Sequence, residues 1–278
     1  MPCIADLLQE KIRLNNVSDS AALDIELLLC HCLQKPRSFL RSRPEHDVSH
    51  EQTAQFFQLL ARREAGEPIA YLTGRRGFWT FDVEVSTATL IPRPETELLV
   101  EKILEFTDLP EKARVLDLGT GTGVIALALA SGKPAWQVTG VDFQSDAVSL
   151  SQRNARRLQL PNVQFEQSNW FSVLTGQVFD VIVSNPPYID PDDSHLKEGD
   201  VRFEPSSALV SDKKGLADIE QIISQTPGYL VNEGRLLLEH GYDQGEAVRA
   251  LMAQQGYNSI VTYQDLAGHD RVTAGIKS

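Results

Sequence analysis

Apolar residues along the first seventy positions recur at spacings of three and four. Ile4, Leu7, Leu8 and Ile12 open the series, Ala21, Leu23, Ile25, Leu27 and Leu28 continue it, and Phe56, Phe57, Leu59 and Leu60 close it. Such spacing lays an apolar stripe along each helix and predicts a small helical bundle from Ile4 to about Ala70. Ser18, ahead of Ala21-Ala22, and Ser49, ahead of the Glu51 to Arg63 stretch, are the expected helix caps. Between Gly66 and Pro94 the texture turns to glycine, proline and aromatics, and Phe78, Phe81, Val83 and Val85 predict a short hairpin. Leu90-Ile91-Pro92-Arg93-Pro94-Glu95-Thr96-Glu97 then opens a helix through Leu98, Leu99, Ile103 and Leu104, with proline in its first turn.

From Ala113 onward the period alternates between strand and helix. Strands are expected near Arg114 to Leu118, Gln137 to Phe143, Val163 to Gln167, Val178 to Ser184 and Gly234 to His240, with two late ones around Asn258 to Tyr263 and Val272 to Ile276. Helices fit near Val124 to Ala130, Ser145 to Leu158, Leu216 to Leu230 and Gln244 to Gln255. Alternating elements predict an α/β domain with a mostly parallel sheet covered on both faces. The expected division is 1–74 as a helical bundle, 75–92 as a hairpin linker and 93–278 as the α/β domain. The polar stretch from Ile189 to Lys214 is longer than an ordinary connection and is expected to be a substrate-contacting or lid segment.

Composition narrows the field. At 42% hydrophobic and 23% charged residues the chain reads as a soluble globular protein. It has no apolar run of membrane-spanning length and no secretory start, so a cytoplasmic location and no membrane partner are expected. The net charge of -12 is uneven, with ten Lys/Arg against twelve Asp/Glu in residues 1–90 and sixteen against 26 in the rest. A protein gripping duplex DNA normally shows a basic face, so no direct nucleic-acid contact is expected. The doublets Arg62-Arg63 and Arg75-Arg76 read as a solvated face or as contact with a partner macromolecule. Cys30-His31-Cys32 cannot converge on one ion, because neighbouring helix positions point about 100° apart, and no metal is expected.

Two motifs carry chemistry. Asp117-Leu118-Gly119-Thr120-Gly121-Thr122-Gly123 leaves the first strand of the alternating region and opens its first helix, where a doubly wound sheet lets a cofactor approach the backbone. Asp142 ends the next strand, about 20 residues on, the position from which an acid holds ribose hydroxyls. The turn reads Gly-x-Gly-x-Gly and no hydride-transfer histidine is evident, which favours S-adenosylmethionine, a nucleoside without a pyrophosphate, over NAD.

The second motif, Asn185-Pro186-Pro187-Tyr188, closes the strand Val178 to Ser184, whose end faces the same crevice. An amide or exocyclic nitrogen is a poor nucleophile because its lone pair is delocalised, so an enzyme must hold it rigidly and draw its hydrogens aside. The Asn185 carbonyl and the Pro186 backbone carbonyl are the expected acceptors for an incoming NH2. The fixed φ of both prolines stiffens the loop, and Tyr188 offers a flat packing face.

These motifs, together with Trp170-Phe171, Arg202-Phe203-Glu204-Pro205, Ala208-Leu209 and the Leu90 to Glu97 run, resemble the HemK/PrmC protein N5-glutamine methyltransferases over nearly the whole chain. The resemblance implies a class I S-adenosylmethionine-dependent methyltransferase, Rossmann-like with a mostly parallel seven-stranded sheet, carrying an N-terminal helical domain that recognises the substrate protein. It implies methylation of the glutamine in the Gly-Gly-Gln motif of class-1 peptide chain release factors. Gly119, Thr120, Gly121, Thr122, Gly123, Asp142, Trp170 and Asn185 would then bind the cofactor. Asn185, Pro186, Pro187 and Tyr188 would bind the substrate, with Asn185, Pro186 and Tyr188 catalytic. Asn169 stands where relatives often have Asp, and Trp170 reads either as a wall of the cofactor pocket or as ordinary packing.

Three other readings stay open. N6-adenine DNA methyltransferases carry a similar loop for a chemically similar NH2, and Tyr188 could stack on a flipped base. A glutamine methyltransferase acting on a ribosomal protein would share the same core. A catalytically silent adaptor would have no use for an intact glycine turn, Asp142 and Asn185 together.

Overall fold

The three-and-four spacing at the start of the chain becomes five helices: α1 (Ile4–Leu8), α2 (Ala21–Leu33), α3 (Arg37–Ser42), α4 (His50–Glu64) and α5 (Ile69–Thr73). Ile25, Leu28, Leu29, Phe56 and Leu60 close their shared core with no solvent exposure. Ser49 caps α4, its Oγ accepting from the Gln52 amide at 3.2 Å. Ser18 does not cap α2, which begins after Ser20. Its Oγ instead accepts from the Ser20 amide at 3.1 Å, closing a local turn. The Arg62-Arg63 doublet is likewise split. Arg62 stays at the surface paired with Glu67, whereas Arg63 is buried with its Nε on Asp24 at 2.8 Å and its Nη1 on the Gly66 and Glu67 carbonyls. A buried guanidinium persists only with partners of this kind.

The computed structural model describes all residues, Met1–Ser278, and they fall into two units. One is Met1–Arg75 with His195–Phe203, and the other is Arg76–Ser194 with Glu204–Ser278. The stretch expected as a lid is therefore no free flap. Within the helical unit Arg63 Nη1 meets Asp200 Oδ1 at 3.4 Å, and Arg202 Nη2 donates to the Ala65 carbonyl at 3.1 Å. Within the other unit the ends of the same stretch are closed by Ile189 N on the Leu209 carbonyl at 2.9 Å and by Ser211 N on the Ile189 carbonyl at 3.0 Å.

The hairpin β1 (Arg75–Phe78) and β2 (Phe81–Glu84) lies in the second unit from Arg76 onward, and α6 (Glu97–Leu104) comes next after a 3-10 turn at Pro94–Thr96. The alternating region follows as β3 (Arg114–Leu118), α7 (Val124–Gly132), β4 (Gln137–Asp142), α8 (Ser145–Leu158), β5 (Val163–Gln167) and β6 (Phe179–Ser184). It continues through α9 (Asp212–Gly215), α10 (Ala217–Gln225), β7 (Leu230–Glu239), α11 (Gly245–Gln254), β8 (Tyr257–Gln264) and β9 (Asp270–Lys277). The strand order is β5-β4-β3-β6-β7-β9-β8. β5, β4, β3, β6 and β7 run parallel, and β9 joins antiparallel to β7 and β8.

The helix expected over Leu216 to Leu230 stops at Gln225. Thr226–Gly228 forms a 3-10 turn around Pro227, which has no N–H to continue a helix, and Leu230 already pairs with Phe179. Strand β7 thus starts four residues before the expected Gly234, across an irregular register between Phe179 and Val181. The hairpin is held to this unit by buried Asn154 of α8. Its Oδ1 accepts from Glu84 N at 2.8 Å, and its Nδ2 donates to the Glu84 carbonyl at 3.1 Å and to the Thr122 carbonyl at 3.0 Å.

Candidate active site at the strand ends

Register brings the two motifs together. Leu118, the last residue of β3, pairs with Val141 of β4 on one side and with Ser184 of β6 on the other. The next residue on each strand, Gly119, Asp142 and Asn185, therefore emerges at one edge, where the strand order reverses direction about β3 and ligands of open α/β sheets bind. Ser184 Oγ donates to the Leu118 carbonyl at 2.7 Å and locks two of these ends. A cavity of about 350 Å³ opens there, within the range of roughly 300–1,000 Å³ usual for small-molecule sites.

Gly119, Thr120, Gly121, Thr122, Asp142, Trp170, Asn185 and Pro187 line this cavity. Gly123, Pro186 and Tyr188 do not reach its wall. Gly123 starts α7 at φ +88°, and a Cβ there would sit 3.0 Å from both Phe165 and Ser151, so its place is in helix packing. Tyr188 turns away, its ring against the core of the sheet and its hydroxyl donating to Glu239 Oε1 at 3.2 Å. Trp170 is half-buried beside Gly119, where its ring lies 3.6 Å from the position a Cβ would take.

The turn itself is organised by two carboxylates. Asp142 Oδ2 accepts from Gly121 N and Oδ1 from Gln144 N, both at 2.9 Å. Burial raises its pKa and the backbone N–H bonds oppose that rise. Asp117 is fully buried behind the turn, with Oδ2 accepting from Thr120 Oγ1 at 2.6 Å and from Ala126 N at 3.3 Å. Its Oδ1 has no hydrogen-bond partner, and desolvation pushes its pKa up to about 7.

On the opposite wall, Asn185 Nδ2 donates to Thr96 Oγ1 at 3.1 Å. With its amide nitrogen committed, the side chain presents Oδ1 as a free acceptor. Arg93, the only cation on the cavity wall, is paired with Glu204, whose Oε2 also accepts from Ile91 N at 3.2 Å. The Arg93 to Glu97 run reads from sequence either as a capped helix start or as a part of the acceptor pocket, and it does border the cavity through Arg93 and Thr96, whereas Glu204, Glu239 and Phe143 carry no site role in the sequence reading. Of these only Phe143, apolar and directly after Asp142, carried a local signal, and it stands 63% exposed at the cavity.

The lining fits S-adenosylmethionine and disfavours a pyrophosphate. Its one cation is already paired, and Asp142 and Asp218 make it acidic. An orphaned buried carboxylate oxygen lies just behind the turn. Each Asp142 oxygen keeps acceptor capacity for a ribose hydroxyl, and Gly121, at φ +55°, leaves the backbone bare toward the cavity.

Strand order, turn and cavity define an S-adenosylmethionine-dependent methyltransferase of the Rossmann-like class. Residues 109–271 match the family model described as a methyltransferase domain, and residues 7–74 match that described as the PrmC N-terminal domain. A methyltransferase from Pyrococcus furiosus shares the fold at a TM-score of 0.55 and 19% identity, over 83% of this chain and 100% of that one. A 16S rRNA N2 G1207 methyltransferase of T. thermophilus, solved with AdoMet and guanosine, does so at 0.52 and 20%, over 73% and 50%. Proteins named release factor glutamine methyltransferase are far more similar. That of Pseudomonas aeruginosa is 56% identical over 93% of both chains, and that of Vibrio cholerae 55% over 93% of this chain and 90% of its own. That of Escherichia coli K12 is 52% identical over 96% of both. The chain belongs to the release factor glutamine methyltransferase family.

Proposed function

We propose that this protein transfers the methyl group of S-adenosylmethionine to the side-chain amide nitrogen, N5, of the glutamine in the Gly-Gly-Gln motif of class-1 peptide chain release factors. The observation that carries the reading is the Asn185 side chain, whose nitrogen is tied to Thr96 so that its oxygen is offered at the cavity where the cofactor-binding turn ends.

Bound S-adenosylmethionine supplies an electrophilic methyl group on a sulfonium that is already a good leaving group. The chain supplies orientation. Asp142 holds the ribose, Gly119 to Thr122 let the nucleoside lie against the backbone, and Trp170 walls the cofactor beside Gly119. Asn185 Oδ1 accepts one N–H of the glutamine amide, which fixes the nitrogen in line and favours the positive charge that grows on it. Pro187 borders the cavity and keeps the loop stiff. The hydrogen that must leave the methylated nitrogen is acidic enough to pass to water, so no dedicated base is required. Tyr188 serves from behind the loop, consistent with its buried hydroxyl.

The helical unit is assigned to recognition of the substrate protein. The net charge of -12 speaks against nucleic acid as the acceptor. The absence of any helix long and apolar enough to cross a membrane accords with work in the cytoplasm.

Radiolabelled S-adenosylmethionine offered with a class-1 release factor, with the same factor carrying alanine for the Gly-Gly-Gln glutamine, and with adenine-containing DNA tests the reading. Label on the first alone is expected. Label on DNA, or on the alanine-substituted factor, would overturn it.

A further inference from the structure

The two stems of the Ile189 to Lys214 stretch meet at one side chain that the reaction as described does not use. Gln244 stands at the N-terminal end of α11, 8% exposed and off the cavity wall. Its Nε2 donates to the Tyr188 carbonyl at 3.0 Å and to the Lys214 carbonyl at 3.1 Å. Its Oε1 accepts from Gly241 N at 2.8 Å, just past the end of β7. A primary amide has two hydrogens to give, and both are committed. Turned over, it would set its oxygen against two carbonyls and its NH2 against an N–H, so the network admits one orientation.

The chain accepts strain to make this meeting possible. Lys213 and Lys214 hold left-handed φ of +56° and +59°, and Gly215 follows at +81°. Non-glycine residues persist in that region only where their surroundings over-determine them. The Lys213–Glu220 ion pair cannot do so, since both side chains stand exposed. What the three residues achieve is close approach: a Cβ on Gly215 would lie 2.0 Å from the Tyr188 carbonyl oxygen and 2.7 Å from Gln244 Nε2. Bare backbone is needed at the very atoms the amide joins.

Tyr188 is thereby held twice from the β7–α11 connection, by its hydroxyl on Glu239 Oε1 and by its carbonyl on Gln244. Between that carbonyl and Asn185 stand two prolines, whose fixed φ leaves the loop few torsions in which to absorb a displacement. A shift at the Tyr188 carbonyl therefore reaches Pro187 and Asn185 at the cavity.

We propose that Gln244 is a positioning residue of the methyl-transfer site: its amide pins the Tyr188 end of the acceptor loop to the Lys213–Gly215 turn and to the end of β7, and through two prolines it sets where Asn185 stands. The inference rests on that loop being the place where the substrate amide is held. Because Gln244 lies off the cavity, its loss should change the rate of transfer and leave the glycine turn undisturbed.

Full-length protein carrying Gln244→Met, Gly215→Ala or both supplies the test. Gln244→Met keeps the length of the side chain and loses its hydrogen bonds, whereas Gly215→Ala drives the same carbonyl away by contact. Turnover on a class-1 release factor is divided by the number of calorimetric S-adenosylmethionine sites, which counts folded protein only. Each single variant is expected to lower kcat per site on the order of tenfold, in line with the sensitivity of rate to small misplacements, with cofactor Kd within about twofold of wild type. The double variant should lose far less than the product of the two, because both changes act on one carbonyl. Wild-type kcat per site in Gln244→Met would overturn the proposal, as would losses that simply multiply or a loss matched by lost cofactor affinity.

Side-chain amide resonances give a readout that needs no acceptor. In the wild type both NH2 hydrogens of Gln244 should exchange slowly with solvent, and fast exchange sinks the pin even where no variant folds. The Asn185 NH2 resonance should move in Gln244→Met while the Gly121 backbone amide, bound to Asp142, stays in place. An Asn185 resonance indifferent to that substitution rules out the positioning role even where the release factor takes no label. Absence of wild-type label on the factor, with these resonances behaving as expected, would count against the acceptor alone.

Discussion

The two walls of the cavity are built by opposite strategies. The wall proposed for the cofactor is local: Gly119 to Thr122 and Asp142 lie within one β-α-β unit, and Asp142 reaches Gly121 across a separation of 21 residues. The acceptor wall is assembled from afar, with Asn185 held by Thr96 at a separation of 89 and Tyr188 held by Glu239 at 51. Arg93 is held by Glu204 at 111. The first wall is a property of a turn, whereas the second is a property of the whole sheet. A cofactor common to many acceptors needs the same backbone approach each time, while the acceptor's nitrogen must be held by whatever the remaining strands can bring to it.

Substitutions on each wall should separate cleanly. The largest effect is expected from Asn185→Ala, which should cut turnover by on the order of 10² or more while leaving cofactor binding nearly intact, because orientation and charge stabilisation are felt mainly in the transition state. Calorimetry beside single-turnover transfer checks it, and unchanged turnover would remove Asn185 from the acceptor role. Behind the glycine turn, Gly123→Ala should destabilise the fold by roughly 1–3 kcal/mol, from a strained positive φ and a crowded Cβ, as read by denaturant unfolding. Normal activity of the remaining folded fraction would mark this as a packing position.

Asp142→Asn ranks next. It keeps the shape but weakens two charge-assisted bonds from backbone N–H groups, so cofactor Kd should rise by about tenfold, or 1.4 kcal/mol, with kcat at saturation much less affected. An equal fall in kcat at saturating cofactor would blur the division between the walls.

The smallest effect concerns pH. Asp117 behind one wall and Glu239 behind the other are both pushed up to about 7 by burial. A carboxyl whose pKa is higher folded than unfolded contributes stability below its unfolded value, and loses it as pH rises through the folded one. Between pH 5.5 and 8 each group should therefore draw stability down. The thermal midpoint of Asp117→Asn relative to wild type should climb over that window. A constant offset would show that Asp117 does not titrate there.

The same contrast explains what could be read from the chain beforehand. The meeting of the glycine turn, Asp142 and Asn185 at one sheet edge was legible because each directly follows a strand of the same parallel sheet, and the period located every strand of that sheet. Thr96 was not legible as the partner of Asn185, nor Glu239 as the partner of Tyr188, because each contact joins residues far apart in the chain. Gly123 was assigned with its neighbours although the turn spends it on packing α7. The misplaced end of α10 has a different origin, since an apolar pattern runs on through Thr226-Pro227-Gly228 although proline cannot carry the helix.

The His195–Phe203 segment has a consequence for how the chain is made. Arg63 and Ala65 find Asp200 and Arg202 across 137 residues of sequence, so the helical unit, although first off the ribosome, lacks part of itself until the chain has grown well past its middle. At roughly 5–20 residues per second that wait is on the order of ten seconds, during which buried Arg63 has Asp24 but not Asp200. The beginning of this protein is finished only by its second half.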